Sequence, residues 1–309
     1  MTKIPYITEG NLGTGLQWQR LVKALLAGHK GARPQISDQF LHRGPDTLLS
    51  RAAWIDGQGV AVKSVTVFPE NPAKGLPSVN GAMLLFDDET GAIDAVIDSA
   101  LVTRWKTVGD SLLGAQLLAR PDARRLLVVG AGAVAAGLLE AYPALFPDIE
   151  IEIWNRSMDK AEALAAGKAH VRAVADLPEA VARADIISTA TMAKTPVIKG
   201  AWLRAGQHLD LIGAFTSEMR EADDMALQRA RVFVDSIDTT VEHIGELMIP
   251  LASGAIARRD VLGDLYDLAQ GAEGRCSDED ITLFKNGGGA HLDLMTGRVI
   301  LAAYRAKFA

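Results

Sequence analysis

The sequence predicts a two-domain α/β protein whose larger part is a doubly wound parallel sheet. The chain has 309 residues, enough for two domains, and 49% of them are hydrophobic. From Arg125 to about residue 290, strand-like and helical segments alternate, which is typical of a parallel sheet covered by helices. Between residues 30 and 99, strand-like runs separated by turn residues predict an antiparallel sheet instead.

Residues 1–120 are predicted to form an α+β domain. Apolar residues recur at helical spacing over residues 14–28 and again over residues 100–119. Strand-like runs lie between these helices, at residues 47–49, 59–68, 82–86 and 93–97. The turn residues of Asp87–Gly91 join the last two runs as a hairpin. A final helical pattern predicts that residues 291–309 pack back onto this domain.

Residues 121–290 are predicted to form the second domain, with the boundary at Pro121, where a helical pattern ends. Its apolar, strand-like runs are separated by helical or loop patterns and lie at residues 126–129, 149–154, 171–174, 185–189, 208–213 and 231–235. This alternation predicts a Rossmann-type sheet.

Composition excludes several classes of partner. The net charge of −6 argues against nucleic acid and against an anionic membrane surface, because both attract basic proteins. Cys276 is the only cysteine and no histidine pair has metal-ligand spacing, so neither a disulfide nor a metal site is expected. No apolar run has the length of a signal peptide or a spanning helix. We therefore expect a cytoplasmic protein that binds a small molecule.

The turn after the first strand of the second domain has the pattern GxGxxA. In such a turn the first glycine allows a tight bend, the second lets the backbone approach a pyrophosphate, and the small third residue packs helix on strand. The alternative is a tight strand-to-helix turn that binds nothing. The predicted dinucleotide-binding residues of this turn are Gly130, Ala131, Gly132, Ala133 and Val134.

The end of the next strand predicts which dinucleotide is preferred. An acidic residue there would accept hydrogen bonds from the adenosine ribose, but the chain has Asn155, Arg156 and Ser157. Because Arg156 and Ser157 can donate to a phosphate, the sequence predicts NADPH as the preferred cofactor, with NADH possible. The alternative interpretation is that Arg156 is simply an exposed arginine at the start of a helix.

Lys63 is the second informative residue. It lies in a strand-like run whose two faces both look buried. Lysine is rarely buried without a partner, so this position predicts an anionic ligand or a role in proton transfer. The alternative is an edge-strand lysine that points to solvent.

Five stretches of the chain resemble the ornithine cyclodeaminase/μ-crystallin family, and in particular its ketimine reductases, which act on Δ1-pyrroline-2-carboxylate and Δ1-piperideine-2-carboxylate. These stretches are residues 62–71, 84–91, 119–132, 184–191 and 280–285. The resemblance implies an N-terminal substrate-binding domain whose sheet pairs across a homodimer, followed by a Rossmann domain. It also implies that Lys63 lies near the carboxylate and imine of the substrate.

Three positions depart from the family pattern. Phe215 stands where ornithine cyclodeaminases carry an aspartate that handles the substrate amine, which favours imine reduction over ammonia elimination. The Arg-Thr pair that grips the substrate carboxylate is Lys106-Thr107 here, which keeps the charge but loses the bidentate fork. A second family arginine has no clear counterpart, and the charge could come from Arg33, Arg43 or Arg51.

The resemblance leads to a functional hypothesis: reduction of a cyclic 2-imino acid by NADPH to L-proline or L-pipecolate. Lys63 would act as the acid or electrostatic partner and Lys106 as the carboxylate anchor. The remaining candidates are substrate-binding residues Asn71, Ser78 and Arg51 and cofactor-binding residues Thr189, Thr191, Gly213 and Phe215. The alternatives are ornithine cyclodeamination, reductive amination of a small oxoacid such as pyruvate, and a non-catalytic NADPH-binding protein.

Overall fold

The computed structural model of the protein describes residues 4–308, which form two compact units. The first unit contains the described residues up to Lys106 together with those from Gly289 onward, and the second contains Thr107–Gly288. The division lies inside helix α3 (Ser99–Leu118), whereas the boundary expected from the sequence is at Pro121.

The first unit is built on a six-stranded sheet with the order β1-β6-β5-β4-β3-β2. Strands β2 to β6 are antiparallel neighbours, and β1 pairs in parallel with β6. The elements of this unit, besides the start of α3, are β1 (Tyr6–Ile7), α1 (Glu9–Leu12), α2 (Trp18–His29), β2 (Gln35–Arg43), β3 (Asp46–Ile55), β4 (Gly59–Val67), β5 (Val79–Phe86), β6 (Ile93–Asp98) and α11 (Ala290–Lys307).

The C-terminal helix α11 packs against β3, β4 and α2. Strand β4 alternates between buried and half-buried residues, as expected for a strand with one face under a helix. Lys63 lies on the buried face of β4. Across the sheet its register partners are Arg51 on β3 and Met83 on β5.

The second unit is an eight-stranded parallel sheet with the order β13-β12-β14-β11-β10-β7-β8-β9. Helices connect most of its strands. Its elements are β7 (Arg125–Val129), α4 (Ala133–Leu145), β8 (Glu150–Trp154), α5 (Met158–Ala165), β9 (Val171–Ala173), α6 (Leu177–Arg183), β10 (Ile186–Thr189), β11 (His208–Leu211), α7 (Asp224–Arg229), β12 (Ala230–Val234), α8 (Ile237–Thr240), α9 (Gly245–Ser253), β13 (Val261–Asp264), α10 (Leu265–Ala269) and β14 (Ile281–Lys285).

The strand order of the second unit confirms the predicted doubly wound fold. The chain runs outward from β7 through β8 to β9 on one side and through β10 to β11 on the other, so the order reverses between β7 and β10. Ligands of open α/β sheets bind at the carboxyl ends of the strands at such a reversal. In residues 4–308, none of the helices is long and apolar enough to cross a membrane.

All ten predicted strands are present, but β1, β2, β13 and β14 were missed. Strand β2 (Gln35–Arg43) is the edge of its sheet and is exposed along almost its whole length, so its sequence lacks the alternation of a half-buried strand. Strand β14 ends in Lys285, which is completely buried and interrupts the apolar run. The hairpin turn at Asp87–Gly91 is confirmed, because β5 and β6 pair antiparallel on either side of it.

Candidate functional site

A cavity of about 400 Å³ lies at the carboxyl ends of β7, β8 and β10 in the second unit. The glycine turn, the end of β8 and the loop after β10 form its walls. The lining residues are Gly130, Ala131, Gly132, Trp154, Asn155, Arg156, Ser157, Lys160, Ala190, Thr191, Met192, Ala193 and Val197. Seven of the predicted cofactor-binding residues therefore lie together around this cavity: Gly130, Ala131, Gly132, Asn155, Arg156, Ser157 and Thr191.

The two glycines of the turn are required for different reasons. Gly130 has φ +125°, and a Cβ there would lie 2.6 Å from the carbonyl oxygen of Ala190, so the backbone itself requires glycine. A Cβ on Gly132 would meet nothing within 4 Å. Gly132 is also the N-cap of α4, where backbone N–H groups favour an anion. The space above Gly132 thus fits the pyrophosphate of a dinucleotide.

The end of β8 brings donors to the same cavity. Arg156, Ser157 and Lys160 line it, and none of its described lining residues is an aspartate or glutamate. This wall is therefore basic and rich in donors. Lys160 was missed by the sequence analysis. It lies in the first turn of α5, where a lysine in a polar stretch looks like an ordinary surface residue.

Five other predicted cofactor residues do not line the cavity. Ala133 and Val134 start α4, and Thr189 is buried at the end of β10. Gly213 packs so closely on the loop after β10 that a Cβ would lie 1.9 Å from the carbonyl oxygen of Thr191. Phe215 is 59% exposed. Gly213 is therefore explained by backbone packing within the protein.

In the first unit, Lys63 forms an ion pair with Asp293 on α11. The Nζ atom donates to Oδ1 at 2.6 Å, and both side chains are almost completely buried. Burial lowers the pKa of Lys63 to about 8; the nearby charge of Asp293 raises this pKa, while the charges of Lys106 and Arg51 lower it. An amine with this pKa exchanges its proton near neutral pH.

Arg51 and Lys106 extend the positive charge around Lys63. Arg51 is the register partner of Lys63 and forms a salt bridge with Asp38 on the next strand, in which Nε donates to Oδ1 at 3.2 Å. Lys106 is 7% exposed, and its charge acts on Lys63 and on Asp293. The cationic side chains of Lys63, Lys106 and Arg51 therefore lie close enough for their charges to interact, and such a cluster suits an anionic ligand.

Three other predicted substrate-site candidates, Arg43, Asn71 and Ser78, have contacts that do not include Lys63. Arg43 is exposed, forms a salt bridge with Asp46 and lies over the ring of Phe68. Asn71 donates through Nδ2 to the carbonyl oxygen of Pro77 at 3.0 Å. The Ser78 carbonyl accepts from the Phe68 N–H at 2.7 Å. Asn71 and Ser78 thus stabilise the conformation of their own loop.

Besides Lys160, the sequence analysis missed two further functional candidates, Asp293 and Glu221. Asp293 is the single acidic residue in the apolar first turns of α11, and a lone carboxylate in such a pattern is a signal for a buried partner. Glu221 is completely buried and accepts hydrogen bonds from Thr191 and Gly213. Nothing in the local sequence around Glu221 distinguishes it from a surface glutamate. Among residues 4–308, no group of three or more potential metal ligands was found.

Known proteins resemble this chain over nearly its whole length. It is 54% identical to the Delta(1)-pyrroline-2-carboxylate reductase of Paracoccus denitrificans over 308 residues, covering 98% of this chain and 96% of the relative. The structure of the Thermococcus litoralis Delta(1)-pyrroline-2-carboxylate reductase with NADH and L-proline matches with a TM-score of 0.90 and 25% identity, over 99% of both chains. An archaeal alanine dehydrogenase dimer with bound NAD also matches with a TM-score of 0.90, at 26% identity, over 99% of this chain and 97% of that one.

The model of one protein family matches most of the chain. This match covers residues 52–307, which include Lys63, Lys106, the glycine turn and Asp293. The chain belongs to the ornithine cyclodeaminase/mu-crystallin family.

Proposed function

We propose that this protein reduces a cyclic 2-imino acid, Δ1-pyrroline-2-carboxylate or Δ1-piperideine-2-carboxylate, to L-proline or L-pipecolate with NAD(P)H. The observation that carries the proposal is the buried Lys63, which is paired with Asp293, lies within reach of the charges of Lys106 and Arg51, and has a pKa of about 8. The 54% identical relative named as a Delta(1)-pyrroline-2-carboxylate reductase supports the substrate class.

The proposed reaction adds a hydride and a proton across the C=N bond. NAD(P)H, when bound, supplies the hydride for the imine carbon and leaves as NAD(P)⁺. The imine accepts hydride best when its nitrogen is protonated, so the protein must hold a proton there. Lys63 is the candidate for this role because its pKa of about 8 allows it to carry and transfer a proton near neutral pH.

Lys106 and Arg51 are the candidates for binding the substrate carboxylate. Both lie close enough to Lys63 for their charges to lower its pKa, and a bound carboxylate would offset that repulsion. The family arginine of the early N-terminal strand has no clear counterpart in this chain. Arg51, on β3, would supply a guanidinium in its place. Asn71 and Ser78 remain candidates for orienting the substrate from the loop after β4.

The cavity of the second unit is the proposed dinucleotide site. Gly132 and the start of α4 would hold the pyrophosphate, and Thr191 would contact the nicotinamide half. We propose that NADPH is preferred over NADH, because Arg156, Ser157 and Lys160 offer donors to a 2′-phosphate and the described lining has no acidic residue to repel it. Thr189, Gly213 and Phe215 do not line the cavity, so any contribution that they make to dinucleotide binding would come from outside its lining.

We also propose that the protein is a homodimer that uses strand β2. Among the described residues, this strand is one of the two edges of the six-stranded sheet, and it exposes Phe40 and Leu41, each 54% accessible. A long exposed edge with apolar side chains is a template for pairing with a second chain. Light scattering of the wild type and of Phe40→Lys tests this proposal: dimeric wild type and a weakened dimer in the variant are expected, and a monomeric wild type would contradict it.

The test of the reaction is a substrate panel with the purified protein. NADPH and NADH oxidation is followed with Δ1-pyrroline-2-carboxylate, Δ1-piperideine-2-carboxylate and pyruvate plus ammonia, and NAD⁺ is supplied with ornithine. Turnover of the cyclic imines with a kcat/KM well above that of the other substrates is the expected result. Faster turnover of pyruvate plus ammonia would favour the alanine dehydrogenase alternative, which the archaeal structure keeps open. Tight dinucleotide binding without any turnover would favour a binding protein.

A further inference from the structure

We propose that Glu221 is a positioning residue that fixes the loop after β10 for dinucleotide binding. Glu221 is completely buried and does not line the cavity. The inference rests on the proposed function only in that the cavity is taken to bind NAD(P)H.

The carboxylate of Glu221 joins the loops that follow two neighbouring strands. Its Oε1 atom accepts hydrogen bonds from the backbone N–H and the hydroxyl of Thr191, both at 2.7 Å. Its Oε2 atom accepts from the N–H of Gly213 at 2.6 Å. Thr191 follows β10 and lines the cavity, whereas Gly213 follows β11. One carboxylate thus fixes a wall of the cavity against the adjacent loop.

The backbone of Glu221 holds the far end of the same loop. Its carbonyl oxygen accepts from the N–H groups of Val197 and Ile198, at 2.8 and 2.9 Å. Val197 also lines the cavity. Glu221 therefore contacts the loop of residues 190–197 at both of its ends, through its side chain at Thr191 and through its main chain at Val197.

Glu221 is itself held in place by Glu246. The Glu246 carboxylate accepts the N–H of Glu221 at 2.6 Å and the N–H of Ala222 at 3.0 Å. The buried Lys285 donates to the carbonyl oxygens of Leu211 and Asn286 and lies near enough to both glutamates for their charges to act on its pKa. Groups of the protein itself therefore fix the orientation of Glu221 independently of a ligand.

An amide cannot replace this carboxylate. Three donors converge on its two oxygens, and a glutamine would turn an NH₂ group toward either Thr191 or Gly213. The two loops leave no room to adjust toward each other, since a Cβ on Gly213 would lie 1.9 Å from the Thr191 carbonyl oxygen. Glu221→Gln should therefore displace the cavity wall at Thr191.

The matched control is Asp185→Asn. The Asp185 carboxylate also accepts two backbone N–H groups, those of Arg124 and Arg125 at 2.9 and 3.0 Å, and it pairs with Arg204. It precedes β10, at the opposite end of the strand from Thr191, and does not line the cavity. Its loss should lower thermal stability but leave dinucleotide affinity unchanged.

The experiment measures the Kd of NADH and NADPH by calorimetry, and the Tm, for the wild type and both variants. Glu221→Gln is expected to raise both Kd values by about tenfold or more, the cost of losing a hydrogen bond to a charged acceptor. Unchanged Kd values in Glu221→Gln, or an equal rise in Asp185→Asn, would overturn the proposal. A wild type that binds neither dinucleotide would instead refute the proposed function.

A second pair of variants tests the contact itself and does not depend on Glu221→Gln folding. Thr191→Val removes the hydroxyl that donates to Glu221, and Thr191→Ser keeps it. We expect a higher Kd for Thr191→Val than for Thr191→Ser, because only the serine keeps the hydroxyl that donates to Glu221. Where Glu221→Gln folds, Thr191→Val should add little in that background, because the same bond is already lost. Equal Kd values for the valine and serine variants, or additive effects, would overturn the proposal.

Discussion

The Nζ atom of Lys63 on β4 lies 2.6 Å from the Oδ1 atom of Asp293 on α11. The pair joins a strand near the start of the chain to the helix at its end, and both side chains are almost fully buried. Asp293 raises the pKa of Lys63 against the opposing effects of burial, Lys106 and Arg51. The carboxylate therefore helps to keep the lysine protonated near neutral pH.

The first prediction concerns the pH profile. If Lys63 must be protonated for substrate binding or proton transfer, kcat/KM should fall as the pH rises above about 8, the pKa of Lys63 in the free enzyme. Asp293→Asn removes the interaction that raises this pKa, so the alkaline fall should move to lower pH. The measurement is kcat/KM for the cyclic imine between pH 6 and pH 10, in buffers of constant ionic strength.

Asp94→Asn is the control for this profile. Asp94 also pairs with α11, through Arg298 at 2.6 Å and Arg305 at 2.8 Å, but it is not among the charges that act on Lys63. Its loss should affect stability and leave the pH profile in place. The proposed role of Lys63 would be wrong if Asp293→Asn, like the control, kept the wild-type pH profile.

The second prediction separates the stability of the ion pair from its function. Lys63→Met leaves a buried carboxylate without its partner and should destabilise the protein by about 3–5 kcal/mol. Lys63→Met combined with Asp293→Leu should recover much of this loss, because an apolar pair of similar volume replaces the ions. Activity should stay at least about 100-fold below the wild type in both variants, since neither has the proton donor. Urea unfolding and steady-state kinetics on the same samples provide the comparison, and full activity in the double variant would remove Lys63 from the mechanism.

The third prediction distinguishes the two glycines of the turn. Gly130→Ala should both destabilise the protein and abolish dinucleotide binding, because its φ is positive and its Cβ would press on the Ala190 carbonyl. Gly132→Ala should fold with a Tm near the wild type, since nothing in the protein lies within 4 Å of its Cβ. Its Kd for NADPH should nevertheless rise, because the methyl group would occupy the space proposed for the pyrophosphate. A Gly132→Ala variant with normal affinity would contradict this placement.

The fourth prediction tests the preference for NADPH. Arg156→Ala and Lys160→Ala should each weaken NADPH binding by about 1.5–3 kcal/mol, the typical value of a hydrogen bond to a charged group, and change NADH binding little. Both side chains line the cavity, and the described lining includes no carboxylate. Calorimetric titration of each variant with both dinucleotides measures the ratio of the two Kd values. An equal loss for NADH and NADPH would place these side chains away from the 2′-phosphate.

In both units most strands were predicted, and β1, β2, β13 and β14 were missed. Residues 126–129 of β7 are buried and form a continuous apolar run that is visible in the sequence, and the GxGxxA turn fixes where the first helix begins. Strand β2 is exposed and has no comparable signal. Contacts between residues that are distant in the chain could not be predicted from the sequence either. Asp293 is 230 residues from Lys63 and Glu221 is 30 from Thr191, so only the folded structure pairs them.

The candidate residues that were predicted have a signal in their local sequence, whereas Lys160 and Glu221 have none. Candidate residues whose proposed role depends on their local backbone, such as Gly130 and Gly132, were found from their spacing. Lys63 was found because a charge inside an apolar strand is unusual. Lys160 and Glu221 were missed because a lysine or glutamate in a polar stretch looks like an ordinary surface residue until the fold brings it to the cavity wall or buries it.

The most direct test of the proposed reduction is to trace the hydride. The protein is incubated with Δ1-pyrroline-2-carboxylate and NADPH deuterated at both C4 positions, and the product is analysed by chiral chromatography with mass spectrometry. The account predicts L-proline carrying one deuterium at C2, formed in step with NADPH oxidation. Unlabelled proline, or no proline while the protein binds NADPH tightly, would contradict it.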